Sequence, residues 1–162
     1  LRRRLMPIEV DGELKIGNFL YINGIDHSYE EKYKTGNGED FKDFYRPDFY
    51  LDGKNTYIEY FGIDGDGRTS PWINNEKYLK SIKWKRKVHK DNETNLIEIT
   101  YQDLIDDLWK EKLIKGLEAH NILLRPRSSV EIIERVKEIN DSKLFNKFSK
   151  LISKFLTLFK SK

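Results

Sequence analysis

The chain has 162 residues, which is enough for one domain with a buried core and too short for two large ones. Hydrophobic residues make up 38% of it and charged residues 35%, with both signs present, so the composition excludes a disordered chain. A net charge of +3 excludes a general cationic field, and the absence of cysteine excludes disulfides and thiolate metal sites.

Neither a membrane span nor a signal peptide is predicted. No apolar run approaches the length of a transmembrane helix, and the basic N-terminal segment LRRRLMPIEV precedes no long apolar stretch. Without cysteine, the chain fits a reducing interior, so we expect a cytoplasmic, prokaryotic-type location and no membrane partner. Because the chain begins without methionine, we also expect it to be a piece of a longer protein.

The first half of the chain predicts one helix followed by three strands. Apolar residues recur at helical spacing over 11–23, and Gly24 supplies a stop. The predicted strands cover 27–33, 44–51 and 55–62. The last two strands are rich in aromatic and β-branched residues and bracket Asp52 and Gly53, which predicts a hairpin.

The second half predicts a helix, a strand and more helices. Pro71 is well placed in the first turn of a helix over 71–90. A buried strand over 94–100 and a helix over 101–119 follow, and after Pro126 the pattern predicts helices over 128–139 and 141–160.

The order of these elements predicts an α/β core of the form α-β-β-β-α-β with further C-terminal helices. We predict an N-terminal extension over 1–10, a core over 11–119 and a helical appendage over 120–162. The last stretch, 143–160, alternates apolar residues with lysines at helical spacing. It can pack on this core, dock on another domain or lie on an anionic membrane, and we favour the first two.

Two acids on the predicted hairpin are the main chemical feature. A loop of 53–54 or 52–55 places Asp48 directly opposite Glu59, whereas a two-residue loop of 52–53 offsets the acids by two positions. Opposed carboxylates repel each other unless one is protonated or a divalent cation lies between them. The competing interpretation is that Asp48 caps a turn and Glu59 is a solvated strand residue.

The chain resembles the PD-(D/E)xK nuclease superfamily. The features that carry this resemblance are the order of the elements, the residues PD at 47–48 and their spacing to Glu59. More narrowly, it is similar to the nuclease-like domain inserted in superfamily 1 DNA helicases of the UvrD/helicase IV type. The stretches that carry this resemblance lie within 10–119 and read GELKIGNFLYINGIDHSYE, YRPDFYL with TYIEYFGID, YLKSIKWKRKVHK and TNLIEIT. The resemblance implies a restriction-endonuclease-like fold with a mixed central sheet flanked by helices.

The resemblance also implies a metal-dependent deoxyribonuclease using Mg²⁺ or Mn²⁺. By motif position, Asp48 and Glu59 would bind the metal with the backbone carbonyl of Tyr60. Glu13, in the first helix, would bind it through water. The helix dipole alone also favours a carboxylate in the first turn, where Glu13 lies. Glu30 and Glu31 are weaker candidates for the same role.

The lysine of the motif is absent, because Phe61 occupies its position. Some superfamily members carry this lysine on the following helix, where periodicity places Lys85 on the sheet-facing stripe. We therefore predict Lys85 as the catalytic lysine; alternatively it pairs with Glu59 and only joins helix to sheet. Arg86, His89 and Gln102 are the candidate nucleic-acid contacts, although a glutamine at the position of Gln102 is equally often without a role.

The favoured hypothesis is a DNA nuclease domain within a larger helicase-nuclease. Its expected partners are single-stranded, forked or branched DNA and the helicase motor of the same polypeptide. The alternative is a catalytically inactive nuclease-like module that binds DNA or braces the helicase, which the absent lysine favours. A weaker alternative is a free-standing restriction or repair endonuclease.

Overall fold

The computed structural model describes residues 8–33 and 45–141, with side chains over 11–33 and 45–137. The chain divides into two compact units, Leu1–Arg125 and Pro126–Lys162. The predicted core over 11–119 and appendage over 120–162 stay predictions. The helix predicted over 141–160 and the extension over 1–10 lie largely outside the described residues.

The first unit contains one four-stranded sheet and four helices among its described residues. Its elements are α1 (Ile8–Ile22), β1 (His27–Tyr29), β2 (Phe49–Leu51), β3 (Thr56–Phe61), α2 (Asn75–Asp91), β4 (Asn95–Thr100), α3 (Tyr101–Ile105) and α4 (Trp109–Ala119). The strands follow one another in the order β1-β2-β3-β4, with β1/β2 and β2/β3 antiparallel and β3/β4 parallel. The prediction of an α/β fold with a mixed sheet is confirmed.

Two predicted helices have different bounds in the structure. α2 begins at Asn75 rather than at Pro71, because the side chain of Asn74 accepts the backbone N–H of Lys77 and so caps the helix. The single helix predicted over 101–119 is wrong, since α3 ends at Ile105 and α4 starts at Trp109. Asp107 between them has a φ of 56°, a left-handed conformation that ends a helix and that aspartate tolerates better than most residues.

The two faces of β3 pack against different helices. Ile58 and Tyr60 belong to the larger core with residues of α1 and α4, whereas Tyr57 lies in a smaller aromatic cluster with Val88 of α2. Side chains alternate between the faces of a strand, so Glu59 shares the α2 side with Tyr57. All six residues of β3 are buried, and Glu59 is therefore a carboxylate in the interior of the layer formed by α2 and the sheet.

The second unit is described only by its first helix, α5 (Ser129–Asp141). Its N-terminus is closed by a capping box, in which Ser128 donates to the Glu131 carboxylate at 2.7 Å and accepts the Glu131 N–H. Within residues 8–33 and 45–141, no helix is long and apolar enough to cross a membrane.

Candidate active site

The register of the β2–β3 hairpin brings the two predicted acids face to face. Phe49 pairs with Ile58 and Leu51 pairs with Thr56, which leaves a four-residue loop over 52–55. Continued by one residue, this register places Asp48 opposite Glu59. Of the hairpin loops that the sequence allows, the structure has the loop over 52–55, which places the two acids opposite each other.

Asp48 completes the ladder of β3 where β2 begins. Its Oδ2 accepts the backbone N–H of Tyr60 at 2.6 Å, which fixes the carboxylate at the edge of β3. The N–H and C=O groups of one strand residue point to the same side of the strand. The carbonyl of Tyr60, the predicted third oxygen ligand, therefore points toward the side on which Asp48 lies.

Lys85 reaches Glu59 from α2. Its ammonium nitrogen lies 2.5 Å from Oε2 of Glu59, and the two side chains are 25% and 0% exposed. The same nitrogen lies 5.6 Å from the centroid of the Phe61 ring, the residue at the motif position of the absent lysine. The position of Lys85 beside Glu59 and Phe61 fits both alternatives, the displaced lysine and the joining ion pair.

The second oxygen of Glu59 is bound by Tyr45, a residue that the sequence reasoning missed. The Tyr45 hydroxyl donates to Oε1 at 2.9 Å and lies 2.8 Å from Nε2 of His89. His89 Nδ1 and the Tyr33 hydroxyl each lie 2.8 Å from the Thr94 hydroxyl. No sequence motif marks this buried chain of hydrogen bonds, because its members come from four distant segments.

The direction of this hydrogen-bond chain follows from its end. An ionised Glu59 only accepts, so Tyr45 donates to it and accepts from His89 in turn. The proton of His89 then resides on Nε2, and Nδ1 accepts from Thr94, whose oxygen accepts from Tyr33. Burial, together with the positive charge of Lys85, lowers the pKa of His89 to about 4, so the ring is neutral near pH 7.

Burial raises the pKa values of both acids. Burial raises the pKa of Asp48 to about 8, with the Glu59 charge adding to the increase and the Tyr60 N–H opposing it. Burial also raises the pKa of Glu59, against the opposing effect of Lys85. The ionised form of both acids is therefore disfavoured, which favours uptake of a proton or a cation.

Glu13 lies on α1 at the border of this group. Its Oε2 accepts the hydroxyl of Tyr29 at 2.5 Å, and its charge contributes to the raised pKa values of both Asp48 and Glu59. Of the predicted substitutes, Glu30 donates its backbone N–H to the carbonyl of Asp48 at 3.1 Å, and its side chain is exposed. Glu13 is thus the predicted first-helix acid that acts electrostatically on the pair.

The three predicted nucleic-acid contacts occupy different environments. Arg86 is 49% exposed and forms a two-pronged ion pair with Glu98, with N···O distances of 2.8 and 2.6 Å. Gln102 accepts the N–H of Gly65 at 3.0 Å. His89 is 2% exposed and has both ring nitrogens engaged, so its position offers no ring edge to a phosphate.

The oxygen atoms of this site are of the type that binds a divalent cation. Asp48, Glu59 and the Tyr60 carbonyl provide hard oxygen donors of the kind Mg²⁺ and Mn²⁺ bind, and burial raises the pKa of both acids. Within the described part of the chain, however, no group of three or more His, Asp or Glu side chains is placed to hold a metal. The donors that this site offers to a cation are thus two carboxylates and a backbone oxygen.

Comparison with known proteins adds no relative to this geometry. The chain matches no protein-family model, no curated protein and no solved structure.

Proposed function

We propose that this chain is a metal-dependent deoxyribonuclease domain of the PD-(D/E)xK type, with a restriction-endonuclease-like core, that hydrolyses DNA phosphodiesters. The observation that carries the proposal is the 2.5 Å contact between Lys85 and Glu59, directly beside the opposed Asp48. Two acids and a lysine are the side chains that the chemistry needs, and here the lysine comes from α2.

The residues would divide the chemistry between them. Asp48, Glu59 and the Tyr60 carbonyl would hold Mg²⁺ or Mn²⁺, which polarises a phosphodiester and lowers the pKa of an attacking water. Lys85 would stabilise the negative charge that builds on the phosphate oxygens in the transition state. Glu13 would hold water beside the acids.

The supporting residues keep this arrangement in place before substrate binds. Tyr45 donates to Oε1 of Glu59, and the Tyr60 N–H donates to Asp48. Rotation of either carboxylate would therefore break a hydrogen bond. The ring of Phe61 shields the Lys85–Glu59 pair on one side and strengthens its electrostatics. Such preorganisation is the property expected of a catalytic site.

We further propose that the domain is part of a longer helicase-nuclease that acts inside the cell, with no membrane partner. The helicase motor would deliver single-stranded, forked or branched DNA. This part of the proposal rests on the similarity of 10–119 to the domains inserted in superfamily 1 helicases.

One observation favours a second candidate function, a nuclease-like module that binds DNA or braces the helicase without cutting. Lys85 and Tyr45 together occupy both oxygens of Glu59. A carboxylate satisfied in this way supports the layer of α2 and the sheet without any metal. The two candidates make opposite predictions for metal-dependent cleavage.

Cleavage of labelled single-stranded and forked DNA in Mg²⁺ or Mn²⁺ tests the proposal. The variants are Asp48→Asn, Glu59→Gln and Lys85→Met, with Lys83→Ala on the exposed face of the same helix as matched control. We expect each site variant to lose at least about 100-fold in rate, in line with removal of one preorganised electrostatic group, and the control to cleave normally.

A metal-binding measurement separates the two candidates without relying on turnover. A cation that binds the folded state raises the melting temperature, and Mn²⁺ should do so for the wild type but not for Asp48→Asn. Cleavage that survives in all three site variants would show that the activity comes from elsewhere. DNA binding without cleavage and without a Mn²⁺-induced shift would establish the second candidate.

A further inference from the structure

A cavity of about 250 Å³ opens beyond the carboxyl ends of β3 and β4, and its wall begins at Gly62, three residues after Glu59. We call it the loop pocket, because most of its wall comes from the segment 62–72 that leaves β3. Its wall includes Gly62, Asp64, Arg68, Trp72 and Tyr101. Ligands of sheets with parallel strands commonly bind at such carboxyl ends.

The wall of the loop pocket is held in shape by its own hydrogen bonds. Oδ1 of Asp64 accepts the backbone N–H groups of Asp66 at 3.0 Å and Arg68 at 2.8 Å. Gln102 ties the segment to α3 through the N–H of Gly65 at 3.0 Å. On the other side, the N–H of Gly62 donates to the Tyr78 hydroxyl of α2 at 3.0 Å. The pocket is therefore preformed between two helices.

Trp72 is the unusual residue of this pocket. Its side chain is 59% exposed, whereas Trp109 is 6% exposed and Trp84 is half-buried. An exposed indole loses the stabilisation that burial of a large aromatic side chain provides, unless a ligand covers it. With the half-buried Tyr101 in the same wall, Trp72 forms a surface on which a planar ring can stack.

The charges around the pocket do not favour a phosphate as the group that fills it. Arg68 is ion-paired with Asp66 and lies 3.9 Å from the Asp64 carboxylate. The loop thus places two acids around its one arginine, so its net field repels an anion. An uncharged planar ring with an N–H group that can donate to Asp64 or to a loop carbonyl matches this wall.

The pocket lies within reach of a DNA strand bound at the acids. Gly62 follows Glu59 by three residues, about 10 Å along an extended strand. A phosphate placed beside Lys85 would therefore have a neighbouring base close to the loop pocket. A base in a duplex is stacked and paired, and removing it costs a few kcal/mol, so a strand without a partner enters more easily.

We propose that the loop pocket binds one unpaired base of the DNA strand whose phosphate lies at the acidic site, with Trp72 as the stacking surface. This inference rests on the proposed function for the identity of the polymer. It adds the expectation that the domain selects single-stranded over duplex substrate by holding a base rather than by reading phosphates.

Binding without cleavage tests the loop pocket. The full chain is titrated into a fluorescently labelled oligodeoxythymidylate in EDTA, and the titration is repeated with an abasic strand and a duplex of equal length. The variants are Trp72→Ala and Trp72→Phe, with Leu123→Ala as control, because Leu123 is 69% exposed and lies outside this pocket. Circular dichroism checks that each variant is folded.

We expect Trp72→Ala to weaken binding of the thymidylate strand by roughly tenfold, the usual effect of removing one stacking side chain. Trp72→Phe keeps an aromatic ring and should retain most of the affinity, and Leu123→Ala should bind as the wild type does. Binding of the abasic strand and of the duplex should not respond to any of these changes. Tryptophan fluorescence of the wild type should be quenched by the thymidylate strand only.

Three results would contradict the proposal that the loop pocket binds a base. These are an unchanged affinity of Trp72→Ala for thymidylate, an equal loss for the abasic strand, and a wild type that does not prefer thymidylate to the abasic strand. Parallel cleavage assays in Mn²⁺ separate this failure from failure of the proposed function. Cleavage that is unchanged by Trp72→Ala rejects only the proposed base binding in the pocket. Binding that depends on Trp72 without any cleavage rejects only the proposed nuclease activity.

Discussion

Lys85 of α2 places its ammonium nitrogen 2.5 Å from the carboxylate of Glu59 on β3, in the layer between helix and sheet. Its neighbour Arg86 pairs with Glu98, and Glu98 lies beside Glu59 in register on β4. Consecutive residues of one helix thus neutralise acids on consecutive strands. The first pair is buried and the second is exposed to solvent, and this difference decides how much each contributes.

Removing Lys85 should cost more stability than neutralising Glu59. Lys85→Met leaves a carboxylate with 0% exposure and no cation, and breaking a buried pair from one side costs about 3–5 kcal/mol. Glu59→Gln leaves an ammonium that is 25% exposed and can turn toward water, so its cost should be about 1–3 kcal/mol. Urea unfolding at pH 8 measures both values.

The exposed pair provides the control for this comparison. Arg86→Met should cost less than about 1 kcal/mol, as ion pairs near the surface do. The double variant Lys85→Met with Glu59→Gln should regain part of the stability lost on changing Lys85 alone. Equal costs for the buried and exposed pairs would contradict the assignment of Glu59 as a buried, charge-dependent anchor.

Asp48 should make the folded state less stable as the pH rises. Burial, then the Glu59 charge, raises the pKa of Asp48 from 3.8 to about 8, so between these values the folded state binds the proton that the unfolded state has released. Stability therefore falls with pH in this window, by at most about 1.4 kcal/mol per pH unit. Asp48→Asn should remove the slope, and thermal unfolding from pH 4 to 9 measures it.

The reference for this experiment is the stability of Asp48→Asn at the lowest and the highest pH. Asp48→Asn should come closest to the wild type near pH 4, where the acid is protonated in the folded state and still partly protonated in the unfolded state, and should exceed it in stability above pH 8. A wild type that gains stability relative to this variant between pH 5 and 8 would mean that Asp48 is ionised and favourably paired in the folded protein.

His89 should have the opposite pH dependence. Burial, then the Lys85 charge, lowers the pKa of His89 from 6.5 to about 4, so between these values the unfolded state binds the additional proton. Its contribution to stability is complete above pH 6.5 and is lost as the pH falls toward 4. His89→Gln should flatten the acid side of the stability curve of the wild type, which urea unfolding between pH 4 and 7 records.

Asp48 and His89 therefore oppose each other between pH 4 and 6.5, and only Asp48 acts above that range. A double variant of the two residues should lose both slopes. If His89→Gln steepened the acid loss instead, the ring would have to be charged in the folded state, and the deduced direction of the hydrogen-bond chain would be wrong.

The hydrogen-bond chain to Glu59 should weaken most when it is cut next to the carboxylate. Tyr45→Phe removes one donor from Glu59 and one partner from His89, and both of these groups are buried, so it should cost about 2–4 kcal/mol. Tyr33→Phe removes the contact with the Thr94 hydroxyl at the far end and should cost about 1 kcal/mol. Chemical unfolding at pH 7 compares them; a larger loss for Tyr33→Phe would contradict the order.

Gly12 permits the approach of α1 to the sheet. A Cβ there would lie 2.4 Å from Cζ of Tyr60, whereas a Cβ at Gly17 on the same helix would lie 3.3 Å from the Phe49 ring. We expect Gly12→Ala to cost about 1–3 kcal/mol through overpacking, despite the helix propensity of alanine. Gly17→Ala, the matched control, should stay within about 1 kcal/mol of the wild type. Thermal unfolding tests both.

The local pattern of the chain was sufficient for its main elements. Apolar periodicity and turn residues predicted α1, the β2–β3 hairpin and β4, because side-chain alternation along one segment shows which face is buried. The same rule placed Lys85 on the sheet-facing side of α2. The break between α3 and α4 was not predicted, since Asp107 adopts its left-handed conformation within an otherwise helical pattern.

The sequence by itself therefore determined which residue types lie on which face: two acids on a hairpin and a lysine turned toward them. Only the tertiary structure selected the four-residue loop that opposes Asp48 to Glu59. It alone joined Tyr45, His89 and Glu59 in one buried chain, because such contacts link segments far apart in sequence and depend on how helix and sheet pack. Periodicity gives a direction to each side chain, and packing decides what that side chain meets.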